Sequence, residues 1–498
     1  MRQQQQQNLR GGRWLAVTVA AATALLLTPG VGQAQFGGER YQIGVQLRLF
    51  EQLWESKTDE AGRKRTIEPL NRAFRSFFGG RPAEVARALF DARHALVSDQ
   101  PPDPATLWAE SLAIEPVKRL IDPTEPIRFR VRPFFTGKLA APDAVTVGWT
   151  WFNPDSKQAL PGKDTPLGKL PAEIELPKQA DEQVQASTTD CELIVRIAAG
   201  GQKLIERKMI VSVAPRLTKR LATLRGIADE PPAAMPSLEQ ATLQGHVAVL
   251  AALAEGQERE SDFPAARLLR EAEELARVVQ EGGEYFNATR AGQTWLTVPT
   301  KASPTVVRLL VPASVAQKPK QPVPLLVALH GAGGSENLFF EGYGNGVIVR
   351  ECEKRGWLLV APRGPQFLGS PPVEEIIDTL ASRYPVDPKR IYLVGHSMGA
   401  GQALALSQKS PGRYAGVAAL GGAGATAKLE VYRTLPLFVG TGKEDFVAVK
   451  GARGLANRLD QLGARFSYRE YADIEHMMIV PAALPDLFRF FENPPAAK

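Results

Sequence analysis

Residues Arg390 to Ala405 read RIYLVGHSMGAGQALA, which puts a serine between two glycines just after a short apolar run. The core, Gly395-His396-Ser397-Met398-Gly399, fits the pattern G-x-S-x-G. Ile391, Tyr392, Leu393 and Val394 are residues that fill a buried strand, while the Ala, Leu and Gln after Gly401 favour helix. The serine is therefore expected at a strand-to-helix turn. Such a turn strains the serine backbone, and glycines flank it because a side chain there would strike the neighbouring strand or helix.

The surrounding sequence has the texture of an α/β unit from Gly292 onward. QTWLTVP and TVVRLLVP predict a hairpin, and after the Pro-rich SVAQKPKQPVP comes PLLVALHGAGG, a buried strand ending in a glycine turn. A helix near 346 to 355, the strand GWLLVAP, the loop RGPQFLGSPP and a helix from about Val373 to Arg383 lead to the serine turn. AGVAAL and LPLFVG read as further parallel strands, the second running into Thr441-Gly442-Lys443-Glu444-Asp445.

A serine hydroxyl needs a base to take its proton, and the base needs a third group to fix its tautomer. The chain has five histidines. His94 and His246 precede the α/β unit, His330 opens the glycine turn, and His396 is locked beside the serine, which leaves His476 in a polar loop after the strand-like RFSYREYA. For the acid, Glu444, Asp445, Asp473 and Glu475 all lie in the interval between Ser397 and His476.

These motifs together resemble the α/β-hydrolase superfamily over about residues 294 to 494, with Ser397 on its nucleophile elbow. The resemblance implies a mostly parallel, doubly wound sheet and a triad in the chain order Ser397, Asp445, His476, with Asp445 matching the family position for the acid. It also implies that His330-Gly331-Ala332-Gly333-Gly334 is one arm of an oxyanion hole whose donors are the N–H groups of Ala332 and Met398. The compact unit and its HG-x-GG loop look like secreted esterases grouped with polyhydroxybutyrate depolymerases and feruloyl or acetyl-xylan esterases. No cofactor is implied, and no His/Cys metal-ligand cluster is visible. Only Gly421 to Leu435 separate two of the strands, too few for a large lid, so cover must come from RGPQFLGSPP, from NLFFEGYGNG at 337 to 346, or from the N-terminal part. Phe339, Phe340 and Tyr343 are candidates for lining a substrate pocket, although such residues more commonly bury against the sheet.

At 498 residues the chain should hold two or three domains, and 44% hydrophobic with 23% charged residues is ordinary for a globular protein. Arg2, Arg10 and Arg13 precede an uncharged run from Trp14 to Leu27, and Gly32-Gln33-Ala34 offers a cleavage site before Gln35. This predicts a signal peptide over 1–34 and an exported protein, periplasmic or extracellular, without stable membrane insertion. Cleavage removes three arginines and lowers the formal charge from +7 to +4. The remaining basic residues are scattered, with Arg63-Lys64-Arg65 the one tight cluster, so no nucleic-acid partner is expected. Cys191 and Cys352 are expected as unpaired, buried thiols.

Four further segments follow from periodicity. Residues 35–121 read as helical, from YQIGVQLRLFEQLW and PAEVARALFDARHALV. From 122 to 215 the period changes to about two, in PIRFRVRPFF, AVTVGWTWFN, ELIVRIAAG and KLIERKMIVSVA, which predicts a small antiparallel, immunoglobulin-like sandwich. Trp149 and Trp151 share one face there, as core or as a carbohydrate platform. Helix returns over 216–291 as a connector, with a hinge at DEPPAAMP, and 292–498 is the hydrolase unit. The implied chemistry is ester hydrolysis on a substrate that could be polymeric or carbohydrate-linked. The alternatives are a prolyl-oligopeptidase-like peptidase, for which the β segment is too short, and an exported binding protein with a vestigial hydrolase domain.

Overall fold

A computed structural model describes residues 37–135, 137, 139–177, 187–257, 260–364, 369–423 and 427–495. The leader expected over 1–34 lies outside the described residues. The first described segment is helical, with α1 (Gly37–Ser56), α2 (Ile67–Phe78) and α3 (Pro82–Ala95). Apolar residues spaced by three and four bring Phe50, Trp54, Leu70, Ala73, Val85 and Leu89 into one core, which Met478 from the far end of the chain completes. The helical segment is thus seated on the C-terminal part.

Nine strands follow among the described residues: β1 (Leu112–Pro116), β2 (Leu120–Ile121), β3 (Arg128–Pro133), β4 (Val145–Asn153), β5 (Gln158–Pro161), β6 (Thr165–Pro166), β7 (Ala172–Glu175), β8 (Thr189–Ala199) and β9 (Gln202–Val213). They form a three-stranded sheet in the order β1-β3-β7 and a larger one in the order β2-β9-β8-β4-β5, with β6 on β4. Pairing is antiparallel except between β2 and β9. The β-rich part begins at Leu112, ahead of the expected boundary at 122. LAIEP is buried at every position, so it lacks the alternation by which a strand is read. Trp151 is 1% exposed in the core between the sheets and Trp149 packs against that core. Both rings are spent on packing, which removes the carbohydrate platform.

The 216–291 segment corrects the sequence reading most. Its helices α4 (Leu217–Asp229), α5 (Ser237–Ala254) and α6 (Ala265–Gln280) do not form a separate connector. Leu243, Leu250, Leu269 and Leu275 from them share one apolar core with Leu296, Val307, Val327 and Val360 of the catalytic sheet. An amphipathic stripe reports that a face is buried and not what buries it, so this partner was not legible. The Asp190 carboxylate of β8 accepts the α6 N–H groups of Ala266 at 2.8 Å and Arg267 at 3.0 Å, fixing the sandwich to the start of that helix.

The C-terminal sheet comprises β10 (Gly292–Val298), β11 (Thr305–Val311), β12 (Val323–Leu329), β13 (Leu358–Pro362), β14 (Val386–His396), β15 (Gly416–Leu420), β16 (Leu437–Gly442) and β17 (Phe466–Tyr471). Their order is β10-β11-β13-β12-β14-β15-β16-β17. The β10–β11 hairpin joins β13 antiparallel, and every pairing from β13 through β17 is parallel. The accompanying helices are α7 (Tyr343–Arg355), α8 (Val373–Ala381), α9 (Met398–Lys409), α10 (Val449–Gln461) and α11 (Ile479–Glu492). Alternation along β12 explains the two-sided burial that a parallel sheet needs. Leu325, Val327 and Leu329 face the core shared with α4 to α6, while Leu326 and Ala328 face Phe339, Leu484 and Phe488 on the other side. This is the mostly parallel α/β-hydrolase fold. Cys191 and Cys352 are free and buried.

Candidate active site

Strand β14 ends at His396 and helix α9 begins at Met398, so Ser397 occupies the turn between them. Its backbone stands at φ 55° and ψ −115°, a region that L-residues avoid unless the surroundings hold them there. The holding is visible. A Cβ on Gly395 would lie 2.0 Å from the Gly399 carbonyl oxygen, and one on Gly399 would lie 2.0 Å from that of Leu329. The Ser397 N–H also donates to the Leu420 carbonyl of β15 at 2.8 Å.

The structure brings Ser397, His476 and Asp445 into one chain of hydrogen bonds. Ser397 Oγ lies 2.9 Å from His476 Nε2, and His476 Nδ1 lies 2.8 Å from Asp445 Oδ2. Asp445 is fully buried, and its other oxygen accepts the N–H groups of Val447 at 3.0 Å and Ala448 at 2.9 Å. Both carboxylate oxygens are therefore fixed, one by backbone and one by the imidazole. Among the competing acids, Glu444 is exposed. Glu475 is buried and turns away to accept the N–H groups of Met477 at 2.7 Å and Met478 at 3.0 Å. Burial outweighs these bonds and pushes the Glu475 carboxyl up to about 7.

The N–H groups of Ala332 and Met398 both border the serine turn, and neither has a protein acceptor among the described residues. Sequence reasoning missed what holds this arm in place. Gly331 N–H donates to the Tyr343 hydroxyl at 3.2 Å, the hydroxyl stands 2.6 Å from His396 Nδ1, and His396 Nε2 stands 2.9 Å from the His476 carbonyl oxygen. One proton pattern satisfies all three contacts: Tyr343 O–H donates to Nδ1, and His396 donates from Nε2 to the carbonyl. Burial, with the nearby His476 adding to it, depresses His396 to about 3, so the ring stays neutral. Burial also pushes the Tyr343 phenol up, so its proton remains available for donation. His330 tethers the loop on its other side, with Nδ1 donating to the Gly331 carbonyl at 2.8 Å and Nε2 accepting the Gly364 N–H at 3.0 Å.

Of the three expected pocket residues, Phe339 and Phe340 are corrected to core positions and Tyr343 acquires another role. Phe339 is 0% exposed in the core beneath the sheet and does not reach the cavity. Tyr343 borders the cavity, but its hydroxyl is engaged between Gly331 and His396. Tyr343, Gly344, Asn345 and Gly346 all stand at positive φ, a conformation that the two glycines adopt without strain.

A cavity of about 220 Å³ opens on Ser397 and His476, and much of its wall comes from the N-terminal helices. Phe74 of α2 meets the His476 ring edge-on at 4.7 Å between centroids. Phe77 sits so close over Gly333 that a Cβ there would be 2.2 Å from its ring. Arg40 of α1 donates to the Gly333 carbonyl at 2.6 Å, and Glu51 accepts the Gly344 and Asn345 N–H groups at 3.2 Å each. Of the three sources of cover considered from sequence, the N-terminal part supplies this wall, and Asn337, Leu338, Glu341, Gly342 and Tyr343 of the 337–346 stretch line the cavity as well. Four residues of RGPQFLGSPP, 365–368, lie outside the described residues. Among the described residues no helix is long and apolar enough to cross a membrane, and no group of three or more His, Cys, Asp or Glu could hold a metal ion.

Residues 372–432, which carry the serine turn, match the family model described as "Putative esterase". No curated protein matches the chain by sequence. Among solved structures, a thermostable esterase is similar at 16% identity, covering 77% of this chain and 100% of its own, with a TM-score of 0.38. A ferulic acid esterase is similar at 17% identity, covering 41% of this chain and 98% of its own, with a TM-score of 0.36. A mutant feruloyl esterase module from Clostridium thermocellum, complexed with sinapinate, is similar at 13% identity over 42% of this chain and 92% of its own, TM-score 0.35. Residues 372–432 are thus similar to an esterase family, within a unit whose strand order is that of an α/β-hydrolase fold.

Proposed function

We propose that this protein is a serine hydrolase that cleaves carboxylic esters through an acyl-enzyme. The observation that carries the reading is the unbroken chain from Ser397 Oγ through His476 to the buried Asp445, at 2.9 Å and 2.8 Å. His476 Nε2 takes the Ser397 proton as Oγ attacks the ester carbonyl, and Asp445 holds the tautomer and stabilises the imidazolium. The Ala332 and Met398 N–H groups face the oxygen on which negative charge develops; being backbone donors, they need no reorganisation at that moment. Collapse breaks the carbon–alkoxy bond, His476 returns its proton to the departing alcohol, and water then repeats the sequence to release the acid. No step calls on a metal or cofactor.

The leader motif at Arg2 to Ala34 supports export as part of this reading, and sequencing the N-terminus of secreted material tests it: a start at Gln35 is expected. For the chemistry, the test is Ser397→Ala. Its kcat on a simple aryl ester should fall at least about a thousandfold with the fold intact. Retention of most of the activity would move the nucleophile elsewhere.

A further inference from the structure

The cavity that opens on Ser397 has one flank built from helices outside the α/β unit, and that flank is mostly apolar, with Arg40, Arg48 and Glu51 of α1 as its charged members. Ile43 and Leu47 of α1, Phe74 and Phe77 of α2, and Val85 and Leu89 of α3 line it. The polar groups at its inner end are engaged with protein partners. Ser261 donates to Glu341 at 2.7 Å, Glu341 pairs with Arg308 at 2.5 Å, and Asn337 donates to Glu260 at 3.3 Å. Arg48 lies 3.7 Å from Asp262, Arg40 holds the Gly333 carbonyl, and Glu51 holds two N–H groups of the 343–346 run. A charged group entering here would have to compete with those bonds, whereas an apolar one only displaces water.

We infer that residues 37–95 build an acyl site for esters of an uncharged, apolar acid, with Leu47 and Phe77 in its wall. This rests on the serine-hydrolase reading of Ser397. In that chemistry the alcohol departs beside His476 Nε2, which protonates it, while the acyl group stays bonded to Oγ. The exposed residues Phe78, Phe446 and Val447 mark the open rim on the side of His476, through the contacts of Phe74 with Phe78, Phe446 and the His476 ring. The retained group therefore takes the enclosed side, under α1 and against Gly333 and Leu338. The wall is fixed in place rather than hinged. Arg40 and Glu51 tie α1 to the loops that carry Ala332 and Tyr343, and the Arg350–Glu55 ion pair adds a third tie at the surface.

The test uses the full chain and a series of p-nitrophenyl esters from acetate to dodecanoate. The wild type should gain about three- to fourfold in kcat/KM per methylene, the factor for burying one, until the acyl group fills the cavity, and lose beyond that length. Leu47→Trp puts an indole into the cavity wall and should lower the hexanoate-to-acetate ratio at least about tenfold. Leu47→Ala, which carries the test if the tryptophan variant does not fold, should move the optimum to longer chains. Unchanged ratios in both variants, or a wild-type preference for a hemisuccinate over a butyrate ester, would overturn the acyl-site assignment. Labelling of Ser397 by an aryl phosphonate separates the two levels. Labelled enzyme with length-independent rates rejects the acyl site alone, while absence of labelling rejects the serine-hydrolase reading and the site with it.

Discussion

Replacing Tyr343 by phenylalanine would remove one oxygen atom from the centre of the site and leave the ring's packing intact. That oxygen accepts the Gly331 N–H at 3.2 Å and lies 2.6 Å from His396 Nδ1, and all three residues are buried. The variant therefore strands one donor and one acceptor away from water. Leaving a buried polar group unpaired costs about 1–3 kcal/mol, so with the longer N–H contact at the low end the loss should be on the order of 2–4 kcal/mol. A domain of ordinary stability, about 5–15 kcal/mol, survives that. Catalysis should fall as well, because Gly331 precedes Ala332 and His396 contacts the His476 carbonyl; a donor moved rather than lost should reduce kcat about 10- to 100-fold with little change in KM. Urea unfolding followed by tryptophan fluorescence gives the first quantity and initial rates on an aryl ester give the second. His396, held at about 3, stays neutral from pH 5 to 9, so the loss should be the same across that range. A variant with wild-type unfolding midpoint and wild-type kcat would refute the bridging role of the hydroxyl.

Other perturbations discriminate further parts of the account. Asp445→Asn should lower kcat about a thousand- to ten-thousandfold by favouring the wrong His476 tautomer, while Glu444→Gln, on an exposed carboxylate, should change it less than about twofold on the same ester. Glu51 is raised to about 7, chiefly by burial, so its native state holds the proton more tightly than the unfolded chain does. The stability this contributes is complete below the ordinary carboxyl value of 4.5 and is lost as pH rises through about 7; Glu51→Gln should accordingly flatten the fall in urea midpoint between pH 5 and pH 8. A chain beginning at Gly292 should be insoluble, since it exposes the sheet face that Leu243, Leu250, Leu269 and Leu275 cover, whereas one beginning at Gly37 should be soluble; recovery of a soluble, monomeric 292–498 fragment would contradict the shared core.

The serine turn was legible because its constraint is local. Gly395 and Gly399 are needed by contacts within a few residues or with the adjoining strand, so the requirement is written into the motif itself. The parallel strands were legible for a similar reason, since burial on both faces leaves unbroken apolar runs such as LLVAL and LLVA. What escaped depends on distant partners. Arg40 and Gly333 are 293 positions apart, and nothing in the period of α1 says which loop it covers. Tyr343 was a candidate for the pocket wall; its hydroxyl contact with His396 spans 53 positions and has no local signature. His396 was recognised as held beside the serine, but its two ring contacts, one to each side of the site, emerge only when α7 and the His476 loop are folded against β14.

The claim on which everything else depends is that Ser397 becomes acylated during turnover. Rapid mixing of the full chain with excess p-nitrophenyl ester, followed by acid quench and peptide mass analysis, measures this directly. The account requires a burst of nitrophenol approaching one equivalent per chain whenever deacylation is the slower step, and an acyl adduct on the peptide bearing Ser397 that is absent from Ser397→Ala. Turnover by the wild type with its adduct on any other residue, or undiminished turnover by Ser397→Ala, would contradict it.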